Sequence, residues 1–95
     1  PGTIAGEVLE VDSFGNLTTN IDVELLSAIP KTRHAWVEIA ERRTQGIRTT
    51  YGDAPADALI ALVGSSGRLE LAIVGGSAAG TLGAGVGAAV TVRWE

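Results

Sequence analysis

Thirteen glycines divide this chain of 95 residues into short segments, and those segments are rich in Val, Ile, Leu and Thr. β-Branched residues fit the pleated surface of a sheet, and glycine supplies the backbone angles that tight turns require. The pattern predicts an all-β fold: a small antiparallel β-barrel or sandwich with one or two short helical turns. The length suits one domain, which we assign to residues 1–95.

Apolar residues alternate with polar ones along seven segments, which we predict to be strands. A change of phase within the first of them predicts a β-bulge near Gly6. The charged segment ERRTQG is the predicted turn between the third and fourth strands. Asp22 and Ser77 have the side chains of N-caps, so we expect short helical turns that end at Leu26 and Leu82. The predicted strands are 3–11, 17–21, 34–40, 47–51, 59–63, 68–74 and 89–94. The clearest predicted hairpin pairs 59–63 with 68–74 across the turn GSSG.

The charge balance excludes several classes of partner. Seven basic and 11 acidic residues give a net charge of −4, which offers no basic surface to nucleic acid or to an anionic membrane. The chain has no cysteine and one histidine, His34, so a zinc site lacks ligands and we expect no metal. The absence of cysteine suits a reducing compartment, and we expect a cytoplasmic location.

No motif in the chain predicts catalysis. The run GAGVG at residues 83–87 lacks the lysine and the following helix of a phosphate-binding loop, so we interpret it as a turn. Glu38 and Glu70 lie on predicted solvent faces of strands, where a carboxylate is ordinarily only solvated. The sequence therefore provides no catalytic residue.

Polar residues concentrate instead in three turns: DSFGN at 12–16, TYGD at 50–53, and GSSG at 64–67 with GGSAA at 75–79. Each of them, taken alone, has the composition of an ordinary turn. Together they provide a carboxylate, an amide, hydroxyls and aromatic rings, which are the groups that would bind a zwitterion carrying a heterocycle.

The order VDSFGNLTTNI, TYGDAP, ALVGSSGRLELA and GGSAA resembles the C-terminal domain of the S-adenosylmethionine (SAM) hydroxide adenosyltransferases. These enzymes are SAM hydrolases that form adenosine and methionine, and they are related to the bacterial fluorinase and chlorinase. The resemblance runs from Gly6 to Val92. The chain has Ser66, Ile73 and Val74 where the halogenases have Arg, Arg and Asn, a difference that favours the hydrolase branch.

The resemblance implies a homotrimer in which the ligand lies between the larger N-terminal α/β domain of one subunit and the C-terminal barrel of its neighbour. This chain is then expected to be the C-terminal half of a longer two-domain protein. The catalytic residues would belong to the N-terminal domain, so we expect the isolated chain to be inactive. SAM would be the substrate, and no cofactor is implied.

The resemblance also assigns roles to individual residues. Asp12 would hold the methionine ammonium, Asn16 would hydrogen-bond the edge of the adenine, and Phe14 would form a wall of the pocket. Tyr51 falls near the family's adenine-stacking aromatic residue. The resemblance also implies contacts to the two ends of the ligand. Ser65 and Ser66 would bind the methionine carboxylate. The adenine amino group would contact the backbone around Ser77, Ala78 and Ala79.

Two other functions stay open from the residues alone. The chain could be a non-enzymatic domain used for oligomerisation, or it could be a stand-alone binder of small molecules. Both would use the same barrel without contributing to hydrolysis.

Overall fold

A computed structural model describes residues 2–95. It contains seven strands and two short helices, and we number each kind in chain order. The strands are β1 (Gly2–Val11), β2 (Leu17–Asp22), β3 (Ala35–Ile39), β4 (Arg42–Gln45), β5 (Leu59–Val63), β6 (Arg68–Ile73) and β7 (Ala89–Trp94); the helices are α1 (Val23–Leu26) and α2 (Ala78–Leu82).

All seven strands form one sheet in the order β4-β3-β7-β1-β2-β6-β5, and every neighbouring pair is antiparallel. The two end strands of the sheet also meet. Thr44 in β4 donates a hydrogen bond from Oγ1 to the Leu59 carbonyl at 2.7 Å. Arg48, beyond β4, pairs in parallel with β5 through its backbone N–H to Ala61 and its carbonyl to Val63. The sheet therefore nearly closes into a barrel, which confirms the predicted fold class.

The core fills the inside of this barrel with residues from alternating positions of the strands. On β3 and β7, for example, Val37, Val90 and Val92 are fully buried, while the residues between them point outward. A strand that packs on only one of its two faces requires this alternation of buried and outward-facing residues. The core cluster of buried residues is Val8, Leu17, Ile21, Val37, Ile39, Leu59, Ala61, Leu69, Leu71, Ile73, Ala78, Val90 and Val92.

Both predicted helix caps are confirmed. The Asp22 side chain accepts a hydrogen bond from the Leu25 backbone N–H at 2.9 Å, and Ser77 Oγ accepts one from the Gly80 N–H at 3.0 Å. These bonds satisfy donors in the first turn of each helix that have no partner within it. The predicted hairpin of β5 and β6 is also confirmed, with Val63 opposite Leu69.

The predicted fourth strand is wrong. Residues 41–46 were assigned to a turn and 47–51 to a strand, but β4 occupies Arg42–Gln45. The turn is made by Ala40 and Glu41 alone, which adopt φ angles of 50° and 65°, as a two-residue hairpin connection requires. The charged residues suit a strand here because the outer face of β4 is solvated. Arg43 of β4 also lies opposite Glu38 of β3, and such a cross-strand pair of opposite charges is favourable.

The bulge in β1 also differs from its predicted place near Gly6. The register shifts between Val8 and Glu10, which lie opposite Thr19 and Thr18 of β2, so the inserted residue is Leu9. Gly6 is instead a site of close approach, because an added Cβ would meet Ile21 Cγ1 at 2.6 Å. The bulge begins just after the ladder with β7 ends at Glu7, where β1 is free to bend.

Candidate functional site

The turn between β1 and β2 is held by the side chain of Asp12. Its Oδ1 accepts hydrogen bonds from the backbone N–H groups of Phe14 and Asn16, both at 2.9 Å, and its Oδ2 accepts one from Asn16 Nδ2 at 3.1 Å. These bonds, chiefly the one from the Asn16 backbone, lower the pKa of the Asp12 carboxyl. Because a carboxylate oxygen has two lone pairs, Oδ2 can still accept a hydrogen bond from a ligand.

Phe14 is the most exposed large apolar residue among residues 2–95, with 77% of its surface accessible. The Asp12 side chain tightens the turn so that this ring stands outside the barrel. Neighbouring Asn16 is half-buried. An aromatic ring presented to solvent by a tight turn contributes little to the core, so its free face is available to a ligand.

The same turn docks on the start of α2. The Ala79 backbone N–H donates to the Gly15 carbonyl at 2.9 Å. Gly15 has a φ of 85°, and a Cβ built on it would lie 2.7 Å from Ser77 Cβ and 3.0 Å from Ser77 Cα. Only glycine permits both this conformation and this approach. The docking fixes the position of Phe14 and Asn16 relative to the segment after β6.

A recess of about 440 Å³ lies at this junction. It brings together four of the predicted site residues, which come from three separate parts of the chain: Phe14 and Asn16 from the first turn, Tyr51 from the loop before β5, and Ser77 from the cap of α2. Ligand pockets commonly have volumes of this order. The remaining lining residues are Ile73, Gly75 and Gly76.

The sequence analysis did not name these three lining residues as site residues, and the predicted Ala78 and Ala79 are not part of the lining. Ala78 is fully buried in the core, and the Ala79 N–H is already bonded to Gly15. A signal for two of the three was the pair Gly75-Gly76 directly after the predicted strand 68–74, since adjacent glycines allow a close approach to the backbone.

Ser65 and Ser66 lie apart from the recess. They are exposed at the tip of the β5–β6 hairpin, where the Gly67 N–H bonds the Gly64 carbonyl at 3.0 Å. This tip is at the start of β6, whereas the recess is at its end. The rise per residue of a strand puts the two ends of β6 roughly 17 Å apart. Only an extended ligand could contact both places.

Acidic residues accompany Asp12 on the neighbouring strands. Glu10 and Glu70 both lie opposite Thr18, one on each side of it in the sheet. Partial burial raises the pKa of the Glu70 carboxyl, and the negative charges of Asp12 and Glu10 raise it further. This part of the surface therefore favours positive charge on whatever binds to it.

A second cavity, of about 510 Å³, lies beside the β3–β4 turn. Its lining is charged, and includes Glu38, Glu41, Arg42 and Arg43, but no predicted site residue. Glu38 is bound to Arg93 at 2.8 Å, which lowers the pKa of the Glu38 carboxyl. Because it contains none of the predicted site residues, this cavity is a weaker candidate than the smaller recess.

The described part of the chain, residues 2–95, contains no cluster of three or more potential His, Asp or Glu metal ligands. Within the same range, neither helix has the length and apolar character needed to cross a membrane.

Comparison with known proteins gives consistent matches. Residues 6–91 match the family of SAM hydroxide adenosyltransferase C-terminal domains. An (R)-S-adenosyl-L-methionine hydrolase of Thermus thermophilus is 38% identical over 78 residues, which are 82% of this chain and 28% of that protein. The hydrolase of the same name from Salinispora arenicola is 37% identical over 76 residues, 80% of this chain and 27% of that protein. The chain thus matches a little over a quarter of the length of these relatives.

Solved structures show the same fold. A crystal structure of an uncharacterized conserved protein from Thermotoga maritima superposes with a TM-score of 0.77 at 27% sequence identity, covering 95% of this chain and 35% of that one. A conserved hypothetical protein from Thermus thermophilus superposes with a TM-score of 0.74 at 39% identity, covering 94% of this chain and 34% of that one.

Proposed function

Because this chain belongs to the family of SAM hydroxide adenosyltransferase C-terminal domains, we propose that it is the SAM-binding domain of an enzyme that hydrolyses SAM to adenosine and methionine. The observation that carries the proposal is the recess at the β1–β2 turn. Phe14 and Asn16, Tyr51, and Ser77 come from three separate segments of the chain, and they line one recess.

The recess suits the adenine end of the ligand. Phe14 and Tyr51 are 77% and 41% exposed, and a purine ring stacks favourably on such aromatic faces. The Asn16 amide has one Nδ2 hydrogen bonded to Asp12, which leaves its Oδ1 acceptor and a second donor for the edge of the base. We assign stacking to the two aromatic rings and recognition of the base edge to Asn16.

The acidic surface suits the other end of the ligand. SAM carries a sulfonium and an ammonium, and the ionised Asp12 carboxylate has acceptor capacity left on Oδ2. The carboxylates of Glu10 and Glu70 add negative charge nearby. We assign the ammonium to Asp12, and the methionine carboxylate of an extended ligand to the hydroxyls and backbone N–H groups of Ser65 and Ser66.

The chemistry is assigned to the rest of the natural polypeptide, since this chain matches 28% and 27% of its two hydrolase relatives. In the proposed reaction the oxygen of water attacks the ribose C5′, the C5′–S bond breaks with its electron pair going to sulfur, and the proton from water is released. Holding C5′ in line between water and the sulfonium lowers the barrier. The proposal includes a cytoplasmic homotrimer in which this domain meets the N-terminal domain of a neighbouring subunit, and an inactive isolated chain.

The test measures adenosine released from SAM by the natural polypeptide that contains this chain. Phe14→Ala should raise the KM for SAM on the order of tenfold, the effect of losing one stacking contact. Val86→Ala is the matched control, because Val86 is also highly exposed, at 71%, and is not among the lining residues of the recess. It should leave the KM unchanged.

Either of two results would contradict the proposal. A folded natural polypeptide that neither binds SAM nor releases adenosine would leave the oligomerisation domain as the better hypothesis. Equal KM values for Phe14→Ala and Val86→Ala would remove the recess as the site.

A further inference from the structure

The turn between β3 and β4 is built from residues that its backbone conformation disfavours. Ala40 and Glu41 have φ angles of 50° and 65°, and most side chains adopt this left-handed region only at an energetic cost. Asn-Gly or Asp-Gly is the usual pair in a two-residue hairpin connection with positive φ angles. Strain that a structure retains is concentrated at functional sites. The turn therefore indicates a use for the Glu41 carboxylate that glycine would not provide.

This turn borders the cavity of about 510 Å³, which residues 38–43 line together with Ala89 and Thr91 of β7. We call it the hairpin cavity. Its volume is in the range of small-molecule sites. Arg43 lies opposite Glu38, and Glu38 lies opposite Thr91, so these three side chains share the outer face of the sheet. Glu41 is two residues before Arg43, and alternate residues of an extended chain point to the same side.

The Arg43 guanidinium keeps its hydrogen-bond donors free. It lies over the Trp36 ring, 5.5 Å from the ring centroid, and this cation–π attraction consumes no N–H donor. The two Glu38 oxygens are taken by Arg93 Nε at 2.8 Å and by Trp36 Nε1 at 3.1 Å. Among residues 2–95 the salt bridge is that of Arg93 with Glu38, and neither Glu41 nor Arg43 takes part in one. The hairpin cavity thus has one carboxylate and one guanidinium that are both available to a ligand.

We propose that the hairpin cavity binds a small zwitterion of the α-amino-acid class, with Arg43 as the partner of its carboxylate and Glu41 as the partner of its ammonium. The planar fork of a guanidinium matches a carboxylate, and an ionised Glu accepts hydrogen bonds from an ammonium. Ala40 and Ala89 are exposed and offer apolar surface to the side chain of the ligand. The hairpin cavity shares no lining residue with the recess, so the inference goes beyond the proposed function.

The test compares three ligands by calorimetry on the natural polypeptide that contains this chain. Leucine is the zwitterion, N-acetylleucine lacks the ammonium, and leucinamide lacks the carboxylate. Each analogue removes one charged hydrogen-bonding group, so leucine should bind more tightly than either of them, on the order of tenfold.

Two variants test the assigned residues. Glu41→Gly and Arg43→Gln should each weaken leucine binding on the order of tenfold. Glycine suits the conformation of residue 41, so Glu41→Gly should melt no lower than the parent, which separates a lost contact from lost folding. Arg68→Gln is the matched control, because Arg68 is also an exposed arginine on a strand and does not line the hairpin cavity. It should bind leucine like the parent.

A folded parent protein that binds no leucine, or that binds all three ligands equally, would overturn the inference. Leucine affinity in Glu41→Gly and Arg43→Gln equal to that in Arg68→Gln would also overturn it. None of these results affects the proposed function, which depends on adenosine release from SAM and on Phe14. A polypeptide that releases no adenosine would instead contradict the proposed function and leave this site in place.

Discussion

Replacing Gly15 by alanine tests whether the β1–β2 turn is locked onto α2. The substitution has two costs. Alanine at a φ of 85° is strained by about 1–2 kcal/mol. Its Cβ would also lie 2.7 Å from Ser77 Cβ and 3.0 Å from Ser77 Cα, and relieving such overpacking typically costs about 1–3 kcal/mol.

The expected loss in free energy of unfolding is therefore about 2–5 kcal/mol, a large share of the roughly 5–15 kcal/mol of a typical domain. Gly87→Ala isolates the conformational part of this loss, because Gly87 has a φ of 90° and a Cβ there would meet nothing within 4 Å. It should lose only about 1–2 kcal/mol.

The assay is urea unfolding of the 95-residue chain and of both variants, followed by hydrogen exchange at the Ala79 amide. This amide donates to the Gly15 carbonyl, so its exchange should accelerate in Gly15→Ala more than the lost global stability explains. If the two variants lost equal stability, or if the Ala79 amide kept its protection, the reasoning about the contact with Ser77 would be refuted.

Two further predictions concern stability. Thr19 is fully buried, and its Oγ1 donates to the Leu69 carbonyl and accepts from the Ile21 N–H where the β2–β6 register is irregular. Thr19→Val should lower the free energy of unfolding in urea by about 1–3 kcal/mol. An unchanged free energy of unfolding would contradict this role of Thr19. The pKa of the Glu70 carboxyl is raised in the folded chain by partial burial and by nearby negative charge. Protonated Glu70 therefore stabilises the folded chain at pH values below the pKa of Glu70 in the unfolded chain. This stabilisation is lost as the pH rises through the pKa of Glu70 in the folded chain. Glu70→Gln should therefore stabilise the chain at pH 7 and have no such effect near pH 3, and an equal effect at both pH values would exclude ionisation as the cause.

Local patterns were sufficient where the structure depends on neighbours in the sequence. The caps Asp22 and Ser77 bond residues three positions further along the chain, and the hairpin of β5 and β6 closes across a short turn. The same reasoning was wrong for β4, because a charged segment was assumed to avoid a strand. Its charges are accommodated by contacts with β3, including Arg43 above the Trp36 ring at 5.5 Å.

The sequence by itself therefore determined the class of fold, its helix caps and its clearest hairpin, since all of them follow from side-chain periodicity and turn chemistry. It also provided the residues of the candidate site, including Phe14, Asn16 and Tyr51. Only the tertiary structure decided which of them meet. Barrel closure and the docking of Gly15 on α2 bring three distant segments to one recess. The same arrangement leaves Ser65 and Ser66 at the opposite end of β6. The sequence alone could not show this, because strand order and register depend on contacts between residues far apart in the chain.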